Sequence, residues 1–282
     1  MKIYLGRDEW GVDRWLNLSG ITGITVAGLP GYGKTSLIIS ALVQLFGSDS
    51  VQFVFIDGKG GADYEDLACR AWLTCGDELA DAAEISGLVH EQMRIRQRNV
   101  IALTGSKNAW HRGPTPDFPL IIVIWDECHT FFDLDSVKGD REAEKLVRSC
   151  RHNGAQMVKK GRSVLFLNVF LTQKQTSDAI PTAIRDNCTV GVSFAVKTRD
   201  AAVAGLGDSI RDNGAYCPTQ LLERPTYIGV CTASLPGDGQ LFTRLRVPNV
   251  PEVYGAQRAT ETAVLLRDPT IPDLSVVETT AA

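Results

Sequence analysis

Residues Gly28-Leu29-Pro30-Gly31-Tyr32-Gly33-Lys34-Thr35 spell a G-x-x-x-x-G-K-[ST] loop, and the segments on either side limit the folds that can carry it. The run Ile21–Ala27 is apolar and β-branched and predicts a buried strand, while Thr35–Phe46 has apolar residues at helical spacing. Strand, glycine-rich loop and helix in that order form a phosphate cradle. The glycines let backbone N–H groups converge on a β-phosphate, Lys34 supplies a point charge for the β/γ oxygens, and the Thr35 hydroxyl is placed to ligate Mg²⁺ beside Ser36 at a helix N-terminus. The motif therefore predicts binding of a nucleoside triphosphate, ATP in the reading developed below.

Hydrolysis needs an acidic site as well, and Phe118-Pro119-Leu120-Ile121-Ile122-Val123-Ile124-Trp125-Asp126-Glu127 supplies it. The run is too short to span a membrane and fits a central parallel strand covered on both faces, with two acids at its C-terminal end. Asp126 is expected to hold Mg²⁺ together with Thr35, and Glu127 to polarise the attacking water. GTPases usually position that water with Gln, so the Asp-Glu pair favours an ATPase of the RecA or AAA+ kind.

At 282 residues and 30.7 kDa the chain has room for one sizeable core, and its 44% apolar content is ordinary for a globular protein. No apolar stretch reaches the ~18 residues of a spanning helix, and the N-terminus lacks a secretory pattern, so a cytoplasmic location is expected. The seven cysteines lack C-x-x-C spacing and read as free thiols. Cys128-His129 with Cys150-Arg151-His152 has the residue types of a zinc site, but both cysteines read better as core residues. Net charge is −4, yet the charges segregate. Residues 62–91 hold eight acids against Arg70, residues 141–162 seven bases against Glu142 and Glu144, and residues 92–112 five bases and no acid. Such segregation suits an assembly whose basic face meets phosphate.

Further strands are expected at Val51–Ile56, Val164–Leu171 and Val190–Val196, with helices at Asp77–Ala102 and Arg141–Asn153. This alternation predicts an α/β, RecA-like P-loop fold: a mostly parallel central sheet with helices on both faces. Short strands at Tyr227–Cys231 and Leu241–Val247 follow, the motor domain is taken as 1–254, and 255–282 reads as a loose tail or docking arm.

Five stretches in order resemble the FtsK/SpoIIIE motor domain. They are the loop with its preceding strand, Phe55-Ile56-Asp57-Gly58-Lys59-Gly60-Gly61, Trp125-Asp126-Glu127, Arg162 with the strand ending in Leu171-Thr172-Gln173, and Ile180-Pro181-Thr182-Ala183-Ile184-Arg185-Asp186-Asn187. The resemblance covers roughly residues 1–250. It implies an ATP-driven translocase of double-stranded DNA working as a homo-oligomeric, hexameric ring. It assigns Gln173 to sensing the γ-phosphate and Arg162 to an arginine finger reaching the next subunit, with Arg148, Arg151 and Arg185 as alternatives. Lys174, Arg185, Lys197 and Arg199 become candidate DNA-phosphate contacts. Thr172-Gln173-Lys174-Gln175 departs from the family's T-Q-R-P, and Ser163-Val164 from its small-Gly pair. The family's membrane segments and winged-helix reader have no counterpart in this sequence, so a separate membrane or recruiting protein is expected. The same motifs also resemble protein-moving type VII secretion ATPases, and a slow ATP-dependent switch or scaffold is a third reading.

Overall fold

The computed structural model describes residues 1–60, 62–174, 176, 178–237 and 239–274. Within them lie ten strands: β1 (Lys2–Asp8), β2 (Asp13–Asn17), β3 (Gly23–Ala27), β4 (Val51–Asp57), β5 (Ala71–Cys75), β6 (Leu120–Asp126), β7 (Phe166–Thr172), β8 (Val190–Ser193), β9 (Val230–Ser234) and β10 (Thr243–Arg246). They form one sheet in the order β2-β1-β10-β9-β8-β3-β7-β6-β4-β5. The six strands from β8 to β5 run parallel, and β9, β10, β1 and β2 extend the sheet antiparallel.

Every residue of β4, β6 and β7 is buried, as expected of parallel strands covered on both faces. The period-2 alternation of β3 divides its side chains between those faces. Ile24 and Val26 meet Leu37, Ile38 and Ala41 of α1 (Lys34–Phe46). On the other face the Thr25 hydroxyl donates to the Gly205 carbonyl at 2.7 Å in α7 (Arg199–Leu206), and Gly23 sits against Val158 of α5 (Arg141–Lys160). The remaining helices are α2 (Ala62–Glu65), α3 (Leu79–Thr104), α4 (His129–Phe132), α6 (Thr182–Arg185) and α8 (Glu252–Glu261). Trp125 at the core's centre stacks on Phe170 at 5.9 Å and packs against Phe131 and Phe132, contacts that fix the C-terminal end of β6 against α4.

The boundaries differ from expectation where local chemistry is subtle. α5 begins where the Asp140 side chain caps its first turn and runs to Lys160 rather than Asn153, with Lys159-Lys160 favouring its last turn. Gly154 inside it is there for close approach, since a Cβ would stand 3.2 Å from Ile184. β7 starts two residues later than expected, after a 3₁₀ turn at Arg162–Val164. β8 ends at Ser193, and β9 starts at Val230 rather than Tyr227. The β1–β2 hairpin and β5 were not anticipated.

Residues 255–274 lie against the chain's own core. α8 packs on α1, with Gly255 against Ile39, and the Leu265 carbonyl accepts from Gln52. Arg96 donates to the carbonyls of Pro119 (2.7 Å) and Pro269 (3.0 Å) between the rings of Phe118 and Phe166. Its burial pulls the guanidinium pKa down to about 9 and takes it out of the basic block 92–112. Residues 275–282 of the expected tail lie outside the described residues. Among the described residues no helix is long and apolar enough to cross a membrane.

Candidate nucleotide-binding site

A cleft of about 720 Å³ opens at the C-terminal edge of the parallel strands, where open α/β sheets place their ligands. Pro30, Gly31, Gly33, Lys34, Thr35 and Ser36 line one wall. The loop is tied down from outside: Leu29 N–H donates to Ala195 (2.8 Å), and Gly229 N–H donates to the Tyr32 carbonyl (3.1 Å). Gly28 and Gly33 have φ of 151° and 114°, and a Cβ on Gly28 would lie 2.7 Å from Phe194, so the backbone path requires glycine at both. No side chain caps the first turn of α1, which leaves its amides to an incoming anion.

The Lys34 ammonium donates to the carbonyls of Gly28 (2.8 Å) and Leu29 (2.9 Å). Burial brings its pKa down from 10.5 to about 8, against the opposing pull of Glu127 and Asp126. This sets a pH signature. A bound triphosphate favours the charged lysine and raises its pKa, so affinity is lost as pH climbs through the free protein's value. ATP affinity should be flat below about pH 8 and then fall by up to tenfold per pH unit. Calorimetric titrations from pH 7 to 9.5 measure it, and an affinity unchanged across that range would refute the lysine contact.

β7 separates the loop strand β3 from the acidic strand β6, so the two functional strand ends stand roughly 10 Å apart across one intervening strand. Asp126 ends β6 and is buried. Its Oδ1 accepts from Glu127 N–H (2.7 Å), its Oδ2 accepts from the Tyr64 hydroxyl (3.2 Å), and the Lys59 ammonium is 3.7 Å from Oδ2. Burial raises the Asp126 pKa, partly offset by Lys59 and by the Glu127 amide, and a nearby cation would restore its charged form. The hard oxygen donors Thr35 and Asp126 suit Mg²⁺, which keeps several waters and phosphate oxygens of its own. Lys59 also bonds Asp63 at 2.5 Å; burial works against its charge, but Asp63 and Asp126 outweigh this and raise its pKa.

Glu127 is 7% exposed and has φ 44°, a left-handed conformation that costs a non-glycine residue on the order of 1 kcal/mol. Both its carboxylate oxygens accept from Gln173 N–H, at 2.9 and 3.1 Å. His129 Nδ1 is 2.7 Å from Oε1 but is not aligned for a hydrogen bond. Gln173 follows the end of β7 and lines the cleft with Lys34 and Thr35, while Asp126 and Glu127 do not line it but act on Lys34 through their charges, and Glu127 binds the Gln173 N–H.

Arg162 is not among them. It is exposed in the turn before β7, at the opposite edge of the sheet, and the length of β7 puts it on the order of 20 Å from the cleft of its own subunit. Arg148 is exposed near Glu144, Arg151 donates to the Phe132 carbonyl, and Arg185 pairs with Asp186 and Asp208. Lys197 and Arg199 are exposed beyond the end of β8, on the cleft side of the sheet. Lys174 is bound to Asp133 at 2.9 Å. Sequence reasoning missed Tyr64 and His129 as neighbours of the two acids, and also Arg246, Asn249 and Glu252 on the far wall. Arg246 sits in an ordinary Arg-Leu-Arg strand that carries no motif. Cys128 and Cys150 are buried core thiols, and His152 meets His90 edge to face.

No family model matches the chain, and no curated protein matches it. Solved structures do. The pCW3 conjugation coupling protein TcpA, in its monomer form with ATPγS, superposes with a TM-score of 0.75 at 16% identity over 92% of this chain and 70% of that one. The cytoplasmic domain of the Thermomonospora curvata type VII secretion ATPase EccC gives 0.69 at 18% identity over 97% of this chain and 32% of that one. EssC (ATPases 2 and 3) from Geobacillus thermodenitrificans gives 0.66 at 16% identity over 99% and 54%. This chain thus spans about a third of the EccC domain and about half of the EssC chain. The ten-stranded sheet, its glycine-rich loop after β3 and these superpositions together show an α/β, RecA-like P-loop fold, the fold of the solved structures just named.

Proposed function

We propose that the chain is an Mg²⁺-dependent ATPase that moves double-stranded DNA as a ring-forming homo-oligomer. The observation that carries this reading is that Lys34 and Gln173 line one cleft at the mouth of the sheet, with Asp126 and Glu127 near enough for their charges to act on Lys34 and with Glu127 bound to Gln173 N–H. In this reading the α1 N-terminus and Lys34 hold the phosphates. Thr35 and Asp126 would hold Mg²⁺, which would supply positive charge against that developing on the phosphate oxygens. Glu127 orients and deprotonates the attacking water, and Gln173 reports the γ-phosphate. Arg162 acts in trans: its place at the far edge of its own sheet suits a residue that completes the neighbouring subunit's site. Lys174, Lys197 and Arg199 supply phosphate contacts on the cleft side. The likeness to a conjugation coupling protein solved with ATPγS supports a DNA cargo.

The likeness to EccC and EssC, both at similar coverage of this chain, favours a second reading in which the cargo is a polypeptide. Turnover with and without linear duplex DNA separates the two. A DNA motor should be stimulated regardless of sequence, and the DNA concentration for half-stimulation should rise steeply with salt, because Lys and Arg contacts release counterions. ATP turnover that ignores DNA at low salt would favour the polypeptide reading, and negligible turnover under all conditions would favour a switch or scaffold.

A further inference from the structure

Glu127 is well placed chemically and poorly placed geometrically. Its backbone is in the left-handed region, and both carboxylate oxygens are engaged by the amide of Gln173, a residue of a different strand end. The shared N–H takes about one lone-pair site on each oxygen, and in doing so it fixes the direction in which the carboxylate presents its remaining sites. The next residue along, Lys174, donates to Asp133 Oδ2 at 2.9 Å, just beyond α4. The other oxygen of Asp133 accepts from the amides of Asp135 (3.0 Å) and Ser136 (3.3 Å), which fixes the carboxylate in place. That ion pair borders a separate cavity of about 210 Å³, which His129, Arg151 and Asp178 also line.

We propose that the Lys174–Asp133 ion pair is a latch that holds Gln173 N–H on Glu127, and that a phosphodiester anion competing with Asp133 for Lys174 frees the carboxylate to activate water. This inference rests on the ATPase reading above and adds how cargo contact reaches the base. Gln173 and Lys174 are adjacent, and the turn that carries them is tethered by the Lys174 N–H on the Thr172 hydroxyl (3.1 Å) and by the Lys174 ammonium on Asp133, so releasing the ammonium removes one of the tethers on the segment that presents the amide to Glu127. The pair is about a quarter exposed on each side, accessible to an anion yet held by defined partners. The hydrogen bond from Lys174 keeps the Asp133 pKa below the usual carboxylate range, as expected for a formed pair.

Asp133→Asn tests the latch. Asn retains an oxygen for the amides of Asp135 and Ser136 but cannot bind an ammonium through its NH₂, so the turn survives and the latch does not. A partly exposed ion pair of this kind corresponds to about a two- to fivefold change in population. ATP turnover without DNA should therefore rise about two- to fivefold, while turnover at saturating duplex DNA stays at the wild-type level. Lys174→Gln should raise turnover without DNA similarly and also lose the remaining response to DNA, a split that mere loosening of the loop would not give. If wild type is stimulated by DNA but Asp133→Asn has wild-type turnover without it, the latch is overturned and the ATPase reading stands. If Lys174→Gln responds to DNA as wild type does, the trigger is overturned. Wild-type protein that binds ATP but never turns it over, with or without DNA, removes the underlying reading and the latch with it.

Discussion

Lys34→Ala should leave a folded protein whose ATP turnover is lower by at least about a thousandfold. The ammonium is buried against the carbonyls of Gly28 and Leu29, a setting that already disfavours its charge. Removing it spares the fold a desolvated cation at the cost of two hydrogen bonds at the cleft wall, so the melting temperature should move by no more than about 4 °C. What disappears is the loop's one cation, the group that in the proposed reading meets the phosphates. Thermal denaturation and a coupled turnover assay on the same preparation test both halves. Normal turnover in a stable Lys34→Ala protein would remove the cleft from consideration as the catalytic site.

Glu127→Gln should separate binding from chemistry. The amide keeps the shape, keeps one acceptor for the Gln173 N–H, and leaves Asp126 with its bond to the residue 127 amide, so nucleotide should still bind. The base is gone, and hydrolysis should fall by on the order of 10²–10⁴, about 3–5 kcal/mol of barrier. Equilibrium binding of ATPγS alongside single-turnover hydrolysis measures the two separately. A variant that no longer binds nucleotide would make Glu127 a structural residue, held at φ 44° to shape the strand end.

The parts of the fold legible in the sequence were those governed by short-range chemistry. The loop 28–35, the buried strand ending in Asp126-Glu127 and the amphipathic segment that became α1 each carry their pattern within about a dozen residues. The strand order was only partly legible, because the insertion of β7 between β3 and β6 depends on crossovers far apart in the chain. The β1–β2 hairpin went unread: its side chains alternate irregularly, Gly6 at φ 144° introduces a bulge against β2, and its pairing partner β10 lies near the other end of the sequence. β5 was obscured because it is half-buried at the sheet edge and lies inside an acidic stretch that read as a solvated face. At the site, the loop that lines the cleft followed from a motif, whereas Tyr64 on Asp126 and Gln173 N–H on Glu127 are meetings of distant backbone segments. Backbone donors leave no trace in side-chain identity.

The antiparallel pairing of β1 with β10 also has a consequence for how the protein is made. Arg7 aligns with Arg246, so β1, which meets β2 within a few residues, finds its other neighbour only about 240 residues later in the chain. At ordinary elongation rates that is roughly ten to fifty seconds. Throughout that interval the hairpin, with Trp10 and Trp15 mostly exposed even in the finished fold, presents an unpaired sheet edge to other nascent chains. All strands of the parallel block from β3 to β8 precede β9 and β10 in the chain, so the antiparallel flank is the last part of the sheet whose strands are all available. Synthesis speed and chaperone supply, more than the equilibrium stability of the finished sheet, will then set how much active protein a cell obtains.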